Sequence, residues 1–339
     1  MYAHKITGFT GPGDVVWEPT AEPALETGVL VDVVAAGVSF ADLLQTRGQY
    51  QMKVPVPYVP GMDAAGVVRS APSGSGLSGS GRSGSGLSAG QRVVVLASSG
   101  CWQEVVSAPA ERVLPLPDGM GFEAGVAACL NYLTVLFALV RRGQAAAGET
   151  LLVHGAAGGV GIAAIQLGRA LGLRTVAVAG DEAKRDFALR CGADHAVLAG
   201  GWLGAVRGLL GERSVDIVLD PVGSDRMTDS LRSLAPLGRL LVVGFAGGEI
   251  PVVKVNRLLL GNTGVLGVAF REFFEARPEV VGELWSSLVG LRRDGRLGDP
   301  PVMAFPFADA RGALGVIADR RARGKVVLSR QVSEPPVLE

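Results

Sequence analysis

Residues 153–167 read VHGAAGGVGIAAIQL, an apolar strand that runs into a glycine-rich turn and then into a helical pattern. This order suits a pyrophosphate, because glycines let the backbone come close and the first turn of a helix presents N–H groups to an anion. The G-x-G-x-x-G pattern is weak evidence alone, and alanine stands at its first glycine position here. A tight turn that binds nothing is the alternative. The predicted dinucleotide contacts are Ala156, Ala157, Gly158, Gly159, Val160 and Gly161.

Composition limits the classes of function that this chain can have. Its 339 residues favour two domains, and a hydrophobic fraction of 48% is enough for sizeable cores. The 32 basic and 32 acidic side chains give zero net charge, which argues against a nucleic-acid or anionic membrane partner. Three widely spaced cysteines predict no disulfide framework, and the N-terminus lacks a signal-like apolar segment, so we expect a cytoplasmic protein. The uncharged segment 124–140 is predicted to be a buried helix.

The pattern of short apolar runs divides the chain into two kinds of structure. The first third is mostly β, with predicted strands at 29–36, 65–69 and 92–96. The Ser/Gly repeats of 73–90 predict a flexible surface loop between neighbouring strands, with an interdomain linker as the alternative.

From Thr150 strands and helices alternate, which is typical of a parallel, doubly wound sheet. The predicted strands of this part are 150–153, 174–179, 215–220, 238–245 and 264–268. Helices at 275–292 and 307–321 and a strand at 325–328 are predicted after it. An α/β nucleotide domain is thus expected inside a β-rich domain made from both ends of the chain.

Four blocks of sequence carry a resemblance to a known family. The chain resembles the zinc-independent quinone oxidoreductases of the medium-chain dehydrogenase/reductase superfamily. The blocks are AAGVSFADLL (35–44) with RGQY (47–50) and VPGMD (59–63), the glycine turn, DPVG (220–223) with GRLLVVGF (238–245), and GKVVL (324–328).

The resemblance implies a GroES-like β-rich catalytic domain, a Rossmann domain and NADPH in the cleft between them. We expect the catalytic domain to comprise 1–123 and 269–339, and the Rossmann domain 124–268. It also implies a homodimer through the Rossmann domain and a small-molecule substrate.

No metal site is predicted. Zinc-dependent relatives have an early cysteine ligand, a Gly-His-Glu block and a lobe of four cysteines. Ser39 stands at the cysteine position, and residues 60–63 contain no histidine. Reduction of an isolated ketone builds charge on one oxygen, whereas a quinone or an enone spreads that charge. We therefore predict an NADPH-dependent reductase of quinones or α,β-unsaturated carbonyl compounds.

The end of the second Rossmann strand predicts which cofactor is bound. An NAD-specific domain has an acidic residue there, about 20 residues beyond the glycine turn, whereas this chain has Gly180, which leaves room for a 2′-phosphate. By resemblance, Lys184 and Arg320 would bind that phosphate, although Lys184 could also be an ordinary solvated lysine. Asp181 would repel the phosphate or else cap the following helix. NADPH is favoured over NADH.

Further site residues come from the resemblance. Tyr50 is expected to line the nicotinamide and substrate cleft, or else to pack on the prolines of 54–57. Ser39 stands where relatives have asparagine near the nicotinamide. Thr134 and Phe245 are expected beside the cofactor. Asp42 is expected to have a structural role.

Two other functions stay open at this point. One is a cofactor-binding protein with little turnover, which the serine at position 39 favours. The other is a pathway-specific biosynthetic reductase that acts on one polycyclic or acyl substrate.

Overall fold

The computed structural model describes residues 1–23, 28–71 and 86–336 and divides into two compact units. The first unit comprises Met1–Leu130, Phe273–Val289 and Asp299–Glu339, and the second comprises Asn131–Glu272 and Gly290–Gly298. Most of the predicted Ser/Gly loop, residues 73–85, lies outside the described residues. The strands that flank it pair with each other antiparallel.

The strands, in chain order, are β1 (Tyr2–Ile6), β2 (Val15–Pro19), β3 (Val29–Val38), β4 (Asp63–Ser70), β5 (Arg92–Leu96), β6 (Val105–Ala108), β7 (Val113–Pro115), β8 (Thr150–Val153), β9 (Arg174–Ala179), β10 (His195–Leu198), β11 (Val215–Asp220), β12 (Leu234–Val242), β13 (Gly264–Gly267), β14 (Val302–Pro306) and β15 (Lys325–Ser329).

The helices are α1 (Phe40–Thr46), α2 (Phe122–Ala127), α3 (Leu133–Leu136), α4 (Gly159–Ala170), α5 (Glu182–Arg190), α6 (Trp202–Leu210), α7 (Met227–Ser233), α8 (Asn256–Gly261), α9 (Phe270–Ala276), α10 (Glu279–Arg293) and α11 (Ala310–Ala318).

The first unit is built on a sheet with the order β14-β15-β3-β4-β5-β7, and β6 pairs with β3. β3 is the central strand because its first half pairs with β6 and its second half with β15 on the same edge. Its burial pattern is almost continuous, as expected of a strand covered on both faces. The core includes Val31, Val95 and Trp102.

The second unit has a six-stranded, wholly parallel sheet with the order β10-β9-β8-β11-β12-β13. The strand order reverses beside β8, and in such sheets ligands bind outside the carboxyl ends of the strands at this point. The predicted doubly wound fold is confirmed, and β8 ends directly at the glycine turn.

The uncharged segment 124–140 lies within a helix from Phe122 to Arg142 that is long and apolar enough to span a membrane. Its most apolar window is 72% buried inside the protein, which is the behaviour of a core helix. Two stretches, Ala128–Tyr132 and Phe137–Arg142, have wide π-type turns. At the end of the second stretch, the N–H of Gly143 donates to the carbonyl of Ala138 at 2.7 Å.

Several sequence boundaries were wrong. The single helix predicted over 275–292 is two helices, α9 and α10, which separate at Pro278 because proline supplies no N–H to continue the first helix. The strand predicted over 238–245 starts at Leu234 and ends at Val242. The pattern also missed β10 and α6 of the alternating half.

Candidate functional site

The glycine turn connects β8 to the N-terminus of α4 in the second unit. Gly155 takes the left-handed conformation with φ of 59°, and the N–H of Gly158 donates to its carbonyl at 3.1 Å. Gly158 is the N-cap of α4 and has no side chain to satisfy the N–H groups of the first turn. Those N–H groups have no partner within a helix, so this N-terminus is suited to an anion.

The alanine at the first glycine position has a simple explanation. The left-handed residue of the turn is Gly155, one position earlier, and Ala156 is fully buried without positive φ. Gly161 is the glycine that close packing requires. A Cβ there would lie 2.4 Å from the carbonyl oxygen of Gly155 and 2.6 Å from the carbonyl carbon of Ala156.

The end of β9 provides the second part of the candidate site. Gly180 is exposed, and no atom lies within 4 Å of the position that a Cβ would occupy. Asp181 caps α5 by accepting the N–H of Lys184 at 2.8 Å, and its other oxygen lies 3.0 Å from Lys184 Nζ. Space for a substituent therefore lies beside a lysine that is already paired with an acid.

Asp220, at the end of β11, is a buried polar residue that the sequence singled out only as part of a family block. Its Oδ1 accepts the N–H groups of Val222 and Gly223 at 2.8 and 2.9 Å. Burial raises the pKa of this carboxyl above its usual value. The carboxylate thus fixes the loop that leaves the sheet beside the glycine turn, since β11 and β8 are neighbours.

His154 is another buried polar residue, at the start of the glycine turn. Its Nε2 lies 2.9 Å from Ser230 Oγ, and its ring packs edge-on against Trp202 at 4.9 Å between centroids. Burial lowers the pKa of His154 to about 3, so the imidazole is neutral. It supports the start of the glycine turn without adding charge.

Two further predicted cofactor residues lie in the second unit. Thr134 is half-buried on α3. Phe245 follows β12 in a loop and is 37% exposed. Its ring occupies the space beside Gly223, where a Cβ would approach the ring to 2.8 Å. The ring therefore packs on the loop that Asp220 fixes.

The predicted substrate residues lie in the first unit. Ser39 is the N-cap of α1, and its hydroxyl donates to Asp42 Oδ2 at 2.6 Å. Burial raises the pKa of the Asp42 carboxyl to about 6, and the hydrogen bonds from Ser39 oppose that rise. Tyr50 is half-buried in the loop after α1. Asp42 has the structural role expected of it, and it also keeps the Ser39 hydroxyl in one orientation.

The structure places the remaining candidates as follows. Arg320 belongs to the first unit, is exposed, and has φ of 58° just after α11. Cys101 is fully buried, and burial raises the pKa of its thiol well above its usual value. Within the described ranges, no three His, Cys, Asp or Glu side chains come together as a set of metal ligands.

Comparison with known proteins places this geometry in a family. Residues 26–118 match the model of the alcohol dehydrogenase GroES-like domain, and residues 159–286 match that of the zinc-binding dehydrogenase. The chain is 32% identical to the quinone oxidoreductase-like protein 2 of Bos taurus, over 93% of this chain and 88% of the relative.

Two solved structures support the same family assignment. A probable oxidoreductase from Mycobacterium abscessus is 40% identical with a TM-score of 0.86, covering 97% of this chain and 98% of that one. The quinone oxidoreductase from Thermus thermophilus, solved alone and with NADPH, is 33% identical with a TM-score of 0.79 and coverages of 97% and 100%. The chain therefore belongs to the quinone oxidoreductase family of the medium-chain dehydrogenase/reductase superfamily and is an oxidoreductase.

Proposed function

We propose that this protein is an NADPH-dependent reductase of quinones or α,β-unsaturated carbonyl compounds. The observation that carries the proposal is the uncapped N-terminus of α4 at the glycine turn, with open space at Gly180 on the neighbouring strand. The bound cofactor supplies a hydride from its nicotinamide.

The residues of the second unit fit NADPH in charge and in space. The first turn of α4 binds the pyrophosphate through N–H groups, and Gly161 permits the close packing of the turn. Gly180 leaves room for the substituted ribose, and Lys184, one helical turn later, supplies a cation for the 2′-phosphate. Thr134 and Phe245 are proposed to contact the nicotinamide half.

The residues of the first unit suit an acceptor that needs only hydrogen bonding. Ser39 is not a usual zinc ligand, and residues 60–63 contain no histidine or cysteine. Tyr50 carries a hydroxyl that donates to a carbonyl oxygen as negative charge develops on it, whereas the Ser39 hydroxyl already donates to Asp42. A conjugated acceptor spreads that charge, so one neutral donor is enough.

We also propose that two copies associate through the second unit. β13 is an edge strand of its sheet, and the segment before it exposes apolar side chains to water. These side chains are Ile250 (74% exposed), Val252 (89%), Val255 (76%), Leu259 (76%) and Leu260 (77%). A second copy that extends the sheet would bury them. Light scattering should give a dimer for the wild type and a monomer for L259E/L260E, and a wild-type monomer would contradict this proposal.

The cytoplasm is the proposed location, because the one helix long enough to span a membrane among the described residues is a core helix.

Turnover with a panel of acceptors tests the reaction. The purified protein should oxidise NADPH when benzoquinones, naphthoquinones or enones are added. With isolated ketones it should oxidise NADPH much more slowly. Y50F should lower kcat by about tenfold if the hydroxyl donates in the transition state, with NADPH affinity unchanged. NADPH binding without turnover of any acceptor would overturn the reductase proposal and favour a cofactor-binding protein.

A further inference from the structure

The first turn of α5 has an unusual balance of charge for a phosphate-binding segment. Residues 181–186 contain three acids and two bases. Lys184 Nζ lies 3.0 Å from Asp181 Oδ2, and Arg185 Nη1 lies 2.7 Å from Glu182 Oε2. Arg185 Nη2 also lies 3.1 Å from Asp186 Oδ1. Both cations of this turn are therefore already engaged by acids of the same turn.

Asp181 differs from the other two acids because it is fixed in place. Its Oδ1 accepts the Lys184 N–H at 2.8 Å while its Oδ2 meets the ammonium of the same residue. It directly follows Gly180, the residue proposed to leave room for the substituted ribose. The carboxylate is therefore held next to the position proposed for the 2′ substituent.

A 2′-phosphate and a 2′-hydroxyl would experience this carboxylate in opposite ways. The phosphate must compete with Asp181 for Lys184 and lies near a like charge, which is unfavourable at a few ångströms even beside water. A ribose hydroxyl instead donates to a carboxylate, the interaction that NAD-specific domains use. The Asp181–Lys184 pair is partly exposed, so it is weak enough for a phosphate to displace.

We propose that Asp181 determines the cofactor preference of this protein by weakening NADPH binding and strengthening NADH binding, so that both cofactors are used. This inference rests on the proposed NADPH site. The wild type should bind the two cofactors with dissociation constants within about tenfold of each other, because an attraction to Lys184 and a repulsion from Asp181 oppose each other at the phosphate.

Cofactor binding to variants tests the proposal without any acceptor. D181N removes the charge but keeps the cap, since asparagine is as good an N-cap as aspartate. Nicotinamide fluorescence gives the dissociation constants of both cofactors, and their ratio measures the preference for NADPH. In D181N this preference should rise by about tenfold, with a larger effect at low ionic strength. The thermal midpoint should stay close to that of the wild type.

E182Q is the matched control, because it removes one negative charge from the same turn but leaves the Asp181–Lys184 pair intact. Its ratio should change by less than about twofold, since Glu182 pairs with Arg185. Equal changes in D181N and E182Q would overturn the assignment to Asp181, and so would an unchanged ratio in D181N. K184M should weaken NADPH and not NADH. If the wild type binds neither cofactor, the proposed function itself fails and the inference fails with it.

Discussion

Asp63 and Lys325 form an ion pair inside the first unit, with Nζ 3.0 Å from Oδ2 and 3.2 Å from Oδ1. Their side chains are 1% and 3% exposed. They lie at the starts of β4 and β15, the two strands that flank the second half of β3. Gly37 of β3 makes room for them, because a Cβ there would lie 2.0 Å from Asp63 Oδ1.

Breaking this pair should destabilise the first unit strongly. K325M or D63N leaves one buried charged group without its partner, which costs about 3–5 kcal/mol of stability. Thermal unfolding of both single variants and of the double variant D63N/K325M measures the coupling, and the double variant should be more stable than the sum of the two losses predicts. K5M, in the partly exposed pair of Lys5 and Glu18, is the control and should cost at most about 1 kcal/mol. Strictly additive losses would contradict the prediction.

Asp42 should make stability depend on pH. Burial raises the pKa of its carboxyl in the folded state from the usual 3.8 to about 6, so the folded state retains a proton that the unfolded state releases. Its contribution is fully present below about pH 4 and is lost as the pH rises through about 6, by about 2–3 kcal/mol. D42N does not titrate, so its thermal midpoint relative to the wild type should be higher at about pH 7.5 than at about pH 4.5.

D118N is the control for this measurement, because it removes an exposed carboxylate from the same unit. Its midpoint relative to the wild type should hardly change between the two pH values. If the difference in thermal midpoint between D42N and the wild type is the same at both pH values, Asp42 does not titrate between them.

The pair of Glu149 and Arg239, in the second unit, should make stability depend on pH in the opposite direction, so that it falls in acid. Arg239 Nη1 and Nη2 donate to the two Glu149 oxygens at 2.6 and 2.7 Å, and this lowers the pKa of Glu149 below its usual value. The stabilisation is present above about pH 4.5 and is lost as the pH falls through the lower, folded pKa. E149Q should cost about 1.5–3 kcal/mol at about pH 7 and progressively less in acid.

The control is D229N, which breaks an exposed pair with Arg232 in the same unit and should change stability by less than about 0.5 kcal/mol. Comparable losses in E149Q and D229N, or a loss in E149Q that does not shrink in acid, would contradict the bidentate pair.

Gly161 should be the least replaceable residue of the glycine turn. In G161A the new Cβ meets the backbone of Gly155 and Ala156 at 2.4–2.6 Å, and backbone atoms cannot move aside as a flexible side chain can. We expect the NADPH dissociation constant to rise by at least about tenfold, because the turn must shift away from the pyrophosphate.

G204A provides the comparison, since no atom lies within 4 Å of a Cβ at this position of α6. This variant should bind NADPH normally and be as stable as the wild type or up to about 1 kcal/mol more stable. Normal NADPH binding by G161A would show that the close approach is not needed.

Local sequence patterns predicted the regular elements well where the hydrophobic period agrees with the residues that end an element. β5, β8, β9 and β11 have the predicted bounds, because each is a short, mainly apolar run that glycine or proline follows within a few residues. The pattern failed at α9 and α10, which are separated at Pro278, and at β10, whose few residues lack a strong apolar period.

The candidate site was only partly predictable for a physical reason. The order of elements along the chain predicts that the glycine turn, Gly180 and Lys184 lie at neighbouring strand ends, since parallel strands end on one edge of a sheet. It could not show that Asp181 engages both the amide and the ammonium of Lys184. It also could not show that Asp63 and Lys325, 262 positions apart, meet in the interior.

The sequence by itself determined the alternation of strands and helices after Thr150, the family and the glycine turn, because these depend on residue type and spacing along the chain. The tertiary structure decided the left-handed residue of that turn, the buried ion pair and the raised pKa of Asp42. The ion pair and the raised pKa both depend on burial in the folded protein, and the ion pair forms only when β3, β4 and β15 are part of one sheet.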